Sequence, residues 1–266
     1  MIRQVKEQLK QLWKNVFGDE DEYLEAYFSQ MYDEENTLVY CDGDKIAAAL
    51  YIIPYDLCYS GRKEKCAYLY ALATDSRYRR QGIMSELIHK ALEKCRREGY
   101  LCCVLIPAED SLCSYYEKFG FKKGRPVKAD YSEELMTLEL PYPMEVKECS
   151  VSDMLSIYRS SRAYERWGIR LDCRAGEFFL TQLTKEGGHI YSFDMEGEAG
   201  YAAVLVEKKT LQIISSNLHG GYVNSFREAM HRLHDFDVVE NKRWDYMVCE
   251  LGQAHVDNIS VAGALL

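Results

Sequence analysis

The sequence predicts an α/β protein, with a mixed central sheet covered by helices on both faces and that arrangement used twice in tandem. Three observations carry this. Short apolar runs alternate with helical stripes along the first 140 residues. One of those runs, Tyr100 to Pro107, reads YLCCVLIP and is apolar almost throughout, as a strand buried on both faces must be. Past Pro141-Tyr142-Pro143 a similar pattern begins again, and two prolines in three residues make that point a linker.

The elements follow in order. Residues 2–17 place Val5, Leu9, Leu12, Trp13 and Val16 on one helical face. The stretch from Phe17 to Tyr32 restarts a helix, with acids near its first turn. The period then shortens. TLVYC and KIAAALYIIPYDLCYS read as two strands around Asp42-Gly43-Asp44, the second run continuing into a third strand. Gly61 marks a turn, and KCAYLYALAT is the next strand. Met84, Leu87, Ile88, Ala91, Leu92 and Cys95 form the stripe of a strong helix, ended by Gly99. After YLCCVLIP, SLCSYYEKF reads as a short helix ended by Gly120.

In the second half, residues 145–185 read as mainly helical. Three strands follow, with turns at Glu196-Gly197 and Lys208-Lys209, then a helix over SFREAMHRLHDF and a final strand, WDYMVCEL. YCDGDKIAAALYI and SFDMEGEAGYAAVLV share a strand, an acidic glycine turn and a second strand with small residues. Their offset of about 150 residues reads as an internal duplication.

Composition narrows the function. The net charge of −9 disfavours a nucleic-acid binder, which needs a basic face. Ten cysteines occur without a CxxC or zinc spacing, so neither a metal site nor a disulfide framework is expected. They read as small buried hydrophobes in a reducing compartment. The charged N-terminal stretch does not suit a signal peptide, and no run of about 18 apolar residues suggests a membrane span. A cytoplasmic protein is expected.

The chemistry gathers in TDSRYRRQGIMSEL, residues 74–87. Arg77, Arg79, Arg80, Gln81 and Gly82 lie between the end of a strand and the start of a helix. The first amides of a helix lack partners, and its dipole favours an anion. Gly82 has no side chain to block a close approach. Local chemistry fits both a phosphate cradle and an ordinary basic turn. Neither a Walker loop nor a GxGxxG is present.

Arg79-Arg80-Gln81-Gly82-Ile83-Met84 resembles the acyl-CoA pyrophosphate loop of the GCN5-related N-acetyltransferases (GNAT), whose pattern is Gln/Arg-x-x-Gly-x-Gly/Ala. Met84 stands where that family prefers Gly or Ala. Tyr116-Glu117-Lys118-Phe119-Gly120-Phe121 resembles the family's late helix-to-strand signature. The resemblance covers roughly residues 1–140 and implies a GNAT domain there, with 145–266 a degenerate second copy. It implies N-acetyl transfer from acetyl-CoA to a primary amine by direct attack. The backbone of Leu72, Ala73 and Thr74 would hold the pantetheine arm, and Arg79, Arg80, Gln81, Gly82, Ile83, Met84 and Ser85 would hold the pyrophosphate. Tyr116 would be the general acid at sulfur. Tyr115, about 100° away around a helix, is the control. A backbone N–H near Leu72 is the expected oxyanion donor. Glu109, Asp110 and Tyr70 are near in sequence, but each reads better as a cap, turn or wall residue than as a base.

The second half carries His219-Gly220-Gly221-Tyr222-Val223-Asn224 at the corresponding place, without the arginines. A copy that does not bind CoA is expected, one that covers the first sheet and walls the acceptor pocket. His219 reads as a loop residue and the tail SVAGALL as packed. Two other functions compete: a CoA-binding module without turnover, and a tandem transferase using another acyl donor such as aminoacyl-tRNA. The acceptor, a small molecule or peptide amine, is not readable, nor is the oligomeric state.

Overall fold

The computed structural model describes residues 2–59, 61–124, 143–161, 168–219, 221–241 and 246–251. The chain divides into two compact units. The first takes the described residues among 1–57 and 63–124 and the strand near 250; the second takes 58–62 and the residues between. The elements are α1 (Ile2–Phe17), α2 (Asp21–Gln30), β1 (Thr37–Asp42), β2 (Lys45–Tyr59), β3 (Arg62–Thr74), α3 (Ile83–Arg97), β4 (Cys102–Leu105), α4 (Cys113–Glu117) and β5 (Lys122–Lys123). Then come β6 (Val146–Glu148), α5 (Val151–Ser160), β7 (Gly168–Ile169), α6 (Arg174–Lys185), β8 (His189–Met195), β9 (Glu198–Glu207), β10 (Thr210–Ser216), α7 (Tyr222–Met230), β11 (Val238–Asn241) and β12 (Met247–Glu250).

The strands of the first sheet follow the order β1-β2-β3-β4-β12-β5. The sheet is mixed: β1 pairs antiparallel with β2, β3 parallel with β4, and β12 antiparallel with both β4 and β5. Its two faces are legible along β2. Ala48, Leu50 and Ile52 pack with the α3 residues Leu87, Ile88, Ala91 and Leu92. Tyr51, between them in sequence, packs instead on Trp13 of α1 and Tyr27 of α2. Alternation of side chains along a strand puts one helical layer on each face.

The second sheet runs β11-β10-β9-β8-β6, with β10 and β11 parallel and the rest antiparallel. Tyr191, Phe193 and Met195 of β8 share a core with Val223, Phe226 and Met230 of α7. Its hairpins turn where expected: Glu196 and Gly197, then Lys208 and Lys209, all take positive φ, the geometry of a tight two-residue turn. α5 begins at a reciprocal cap, with Ser150 Oγ accepting from the Asp153 N–H and Asp153 Oδ2 from the Ser150 N–H.

Four expectations need correction. The strand WDYMVCEL does not close the second unit, because β12 lies between β4 and β5 of the first sheet. Met247, Val248 and Cys249 are all buried, and a strand apolar on both faces needs an interior position. The run 45–59 is one 15-residue strand, without continuation into a third. The stretch 145–185 holds β6 and β7 beside its two helices, β6 being a short edge strand on β8. β11 was not foreseen. The linker Pro141-Tyr142 and the tail SVAGALL lie outside the described residues. All ten cysteines are free thiols, most of them buried. No helix among the described residues is long and apolar enough to cross a membrane.

Candidate active site

The site begins where β3 outruns its neighbour. Cys66, Ala67 and Tyr68 pair with Cys102, Cys103 and Val104, and β4 ends one residue later. β3 continues to Thr74, so its last six residues have no β4 partner. Within that stretch Ala71 takes φ +46, a left-handed conformation that costs a non-glycine residue energy. The result is an opening in the sheet lined on one side by Leu72–Thr74, which have no β4 partner among the described residues.

Leu72 and Thr74 are half-buried and Ala73 is buried. Beyond them Asp75 fixes the loop. Its N–H bonds the Ala47 carbonyl at 2.9 Å, and its carboxylate accepts from the Arg77 N–H at 3.1 Å. The same carboxylate pairs with Lys45 at 2.6 Å and the Arg77 guanidinium at 2.9 Å. Arg79 donates through Nε to the Thr74 carbonyl at 3.1 Å, and Gln81 donates to the Arg77 carbonyl at 3.2 Å. These two side chains therefore hold the loop's shape. Arg80 is exposed and has no hydrogen-bond or ion-pair partner among the described residues.

Arg80 and Gly82 both take positive φ, +62 and +80. This sharp turn starts α3, whose first internal bond runs from the Glu86 N–H to the Gly82 carbonyl at 3.0 Å. The amides of Ile83, Met84 and Ser85 have no partner among the described residues, and no side chain caps them. Three N–H groups at the positive end of a 15-residue helix are a setting that favours an anion. Met84 packs against the core, which takes its bulk away from these amides.

Tyr116 stands on α4. It is 8% exposed and packs edge-on to Phe121 and Tyr115. Burial pushes its hydroxyl up to about 12, with small additions from Tyr115 and Cys113. Its hydroxyl has no partner among the described residues. Tyr68, fully buried, is also pushed up, chiefly by burial and then by Tyr70 and Tyr116. Tyr70 bonds Tyr23 hydroxyl to hydroxyl at 2.6 Å, which fits a wall residue. Glu109 accepts from Ser111 at 3.0 Å, as a turn residue does. Sequence reasoning missed the role of Tyr115, whose hydroxyl lies 3.1 Å from Ser85 Oγ. That contact joins two helices 30 residues apart, and no spacing rule announces it.

A family model for the acetyltransferase (GNAT) domain matches residues 3–124. That stretch, just under half of the chain, is similar to a GNAT acetyltransferase domain. Streptothricin acetyltransferase A of Bacillus subtilis (strain 168) is 29% identical over 113 residues, which are 40% of this chain. The match spans 64% of that relative's length. Among solved structures, a probable N-acyltransferase from Enterococcus faecalis V583 shares the fold with a TM-score of 0.70. It is 14% identical over 92% of this chain and 70% of its own. A GCN5-related N-acetyltransferase from Anabaena variabilis ATCC 29413 follows at 0.69, with 17% identity over 92% of this chain and 70% of its own. The sheet opening, the glycine turn and Tyr116 lie in the matched stretch.

In the second unit His219, at the place corresponding to the loop, sits 3.5 Å from Glu198 and edge-on to Tyr222. Among the described residues no cluster of His, Cys, Asp and Glu could hold a metal ion.

Proposed function

We propose that the protein is an N-acetyltransferase that moves the acetyl group of acetyl-CoA to a primary amine by direct attack. The observation that carries this reading is the set of amides at Ile83, Met84 and Ser85 that have no partner among the described residues, beside the Leu72–Thr74 end of β3, which β4 does not pair. An acyl-CoA has an anionic pyrophosphate and an amide-rich arm, and the two features suit those two parts.

On this reading Arg80 and the α3 amides hold the pyrophosphate, while Arg79 and Gln81 keep the loop in shape. The backbone of Leu72, Ala73 and Thr74 takes the pantetheine arm as an added strand. A backbone N–H near Leu72 donates to the thioester oxygen as charge builds there. The amine nitrogen forms its bond to the carbonyl carbon and releases one proton to solvent, the C–S bond breaks, and Tyr116 gives its proton to the departing sulfur and regains one from solvent. A tyrosine raised to about 12 keeps its proton throughout the neutral range. It is a weaker acid than a thiol, so the transfer to sulfur is uphill on its own and is drawn forward only as the C–S bond breaks and the amide forms.

The acceptor test is a panel of amines with acetyl-CoA: streptothricin, a polyamine, an aminoglycoside and a peptide amine. Acetylated product with one CoA released per acetyl supports the reading. Binding of acetyl-CoA without turnover of any amine overturns it in favour of a CoA-holding module.

Gly82 supplies a second test. A Cβ there meets nothing within 4 Å, so Gly82→Ala makes no clash in the free protein. The left-handed φ costs about 1 kcal/mol of stability, read by denaturant unfolding. The new methyl projects into open space beside the free amides. The KM for acetyl-CoA should rise about tenfold, the effect of losing one charge-assisted hydrogen bond.

A further inference from the structure

We propose that Tyr115 positions Ser85 in the anion cradle, so that its hydroxyl strengthens binding of the donor's pyrophosphate specifically. This rests on the acyl-CoA reading of the loop. Ser85 is the third residue of α3, and its amide is one of the three free N–H groups. Its Oγ lies 3.1 Å from the Tyr115 hydroxyl in a half-buried setting. The ring of Tyr115 is held edge-on by Tyr116 at 5.3 Å and Phe119 at 5.1 Å, and Phe119 in turn packs on His89 at 5.1 Å. The tyrosine is therefore a fixed post, and the serine rotor leans on it.

Proton counting gives the pair its chemistry. Each hydroxyl carries one proton, and their mutual bond uses only one of the two. If Ser85 donates to Tyr115, the tyrosine proton is free; if Tyr115 donates to Ser85, the serine proton is free. Either way one O–H donor is left over beside three unpartnered amides. An anionic oxygen in the cradle takes that donor, and a hydrogen bond to a charged group is stronger than one between neutral groups. Tyr115 and Tyr116, adjacent on α4, then serve different ends of the donor: one its pyrophosphate, the other its sulfur. Tyr115 is not the inert neighbour that helical geometry alone suggests.

The test compares two ligands that differ only beyond the pantetheine arm. Dissociation constants for CoA and for phosphate-free pantetheine are measured on the full chain, wild type and Tyr115→Phe. CoA affinity should fall about tenfold in Tyr115→Phe, while pantetheine affinity changes by less than about twofold. Ser85→Ala should produce the same selective loss, and adding it to Tyr115→Phe should weaken CoA little further, because the two side chains act as one unit. Unchanged CoA affinity in Tyr115→Phe overturns the inference, and so does an equal loss for both ligands, which marks a purely structural role. A wild-type protein that binds no CoA overturns this inference and the acyl-CoA reading together. A wild-type protein that binds CoA without turning over any amine removes the enzyme reading and leaves the selective loss as the support for Tyr115.

Discussion

Tyr116→Phe should lower kcat about 100-fold while leaving the affinity for acetyl-CoA within about twofold of wild type. The phenyl ring keeps the packing against Phe121 and Tyr115, so the change removes a proton and little else. The proton matters because a thiolate leaves poorly from a tetrahedral centre when nothing neutralises it. General acid catalysis contributes about 10²–10⁴-fold, and the lower bound is the conservative expectation. Steady-state kinetics with one accepted amine measure it. A variant with wild-type kcat shows that another group, or water, supplies the proton.

The pH profile gives the same residue an independent signature. An ordinary tyrosine, near 10, begins to lose its proton above about pH 9. Burial raises Tyr116 to about 12. Its proton is therefore present throughout the neutral and mildly alkaline range and is lost only as pH passes the folded-state value. The wild-type kcat should show no alkaline fall up to about pH 10. A fall centred near 9 or 10 points to a different acid or to a solvated Tyr116.

How much of this was legible in the sequence depends on the distance over which each feature is decided. The α3 stripe, the turns at Glu196-Gly197 and Lys208-Lys209, and the glycine loop are set by residues within a few positions of one another. Their periods and turn chemistry read correctly. The placing of β12 was not legible. Met247, Val248 and Cys249 form an apolar run that fits any buried slot, and only the vacant edge of β4, more than 140 residues earlier, selects this one. The same holds at the site. Arg79 and Gln81 were expected to hold pyrophosphate, on charge and motif alone. The folded loop gives each of them a bond of its own, to the Thr74 and Arg77 carbonyls, while Arg80 has no partner among the described residues. Side-chain commitment of that kind depends on where a turn directs each residue, and the positive φ of Arg80 is invisible in its letter.

Trp13→Ala should be the most destabilising single change, at about 3–5 kcal/mol. Trp13 is 1% exposed and stands at the centre of the aromatic layer between α1, α2 and the sheet. Its ring lies 4.7 Å from Tyr27, 5.0 Å from Tyr51, 5.4 Å from Tyr70 and 6.0 Å from Phe28. Removing it leaves a cavity bounded by four rigid rings, which cannot collapse inward without leaving their own contacts. Asp19 also loses the indole N–H it accepts at 2.6 Å. Nearby Tyr51 already keeps a buried hydroxyl without a partner among the described residues. Trp13→Phe keeps most of the volume and should lose less than half as much. Far-UV circular dichroism in urea on the full chain measures both variants. Tyr70, one residue before the left-handed Ala71, leans on the same indole. Loss of Trp13 therefore loosens the free edge of β3 as well as the core. In conditions where Trp13→Ala remains folded, its KM for acetyl-CoA should rise while Trp13→Phe stays near wild type. A loss below about 1 kcal/mol for Trp13→Ala shows that the aromatic layer can close over the gap, and that the β3 edge takes its shape from the Ala71 backbone alone.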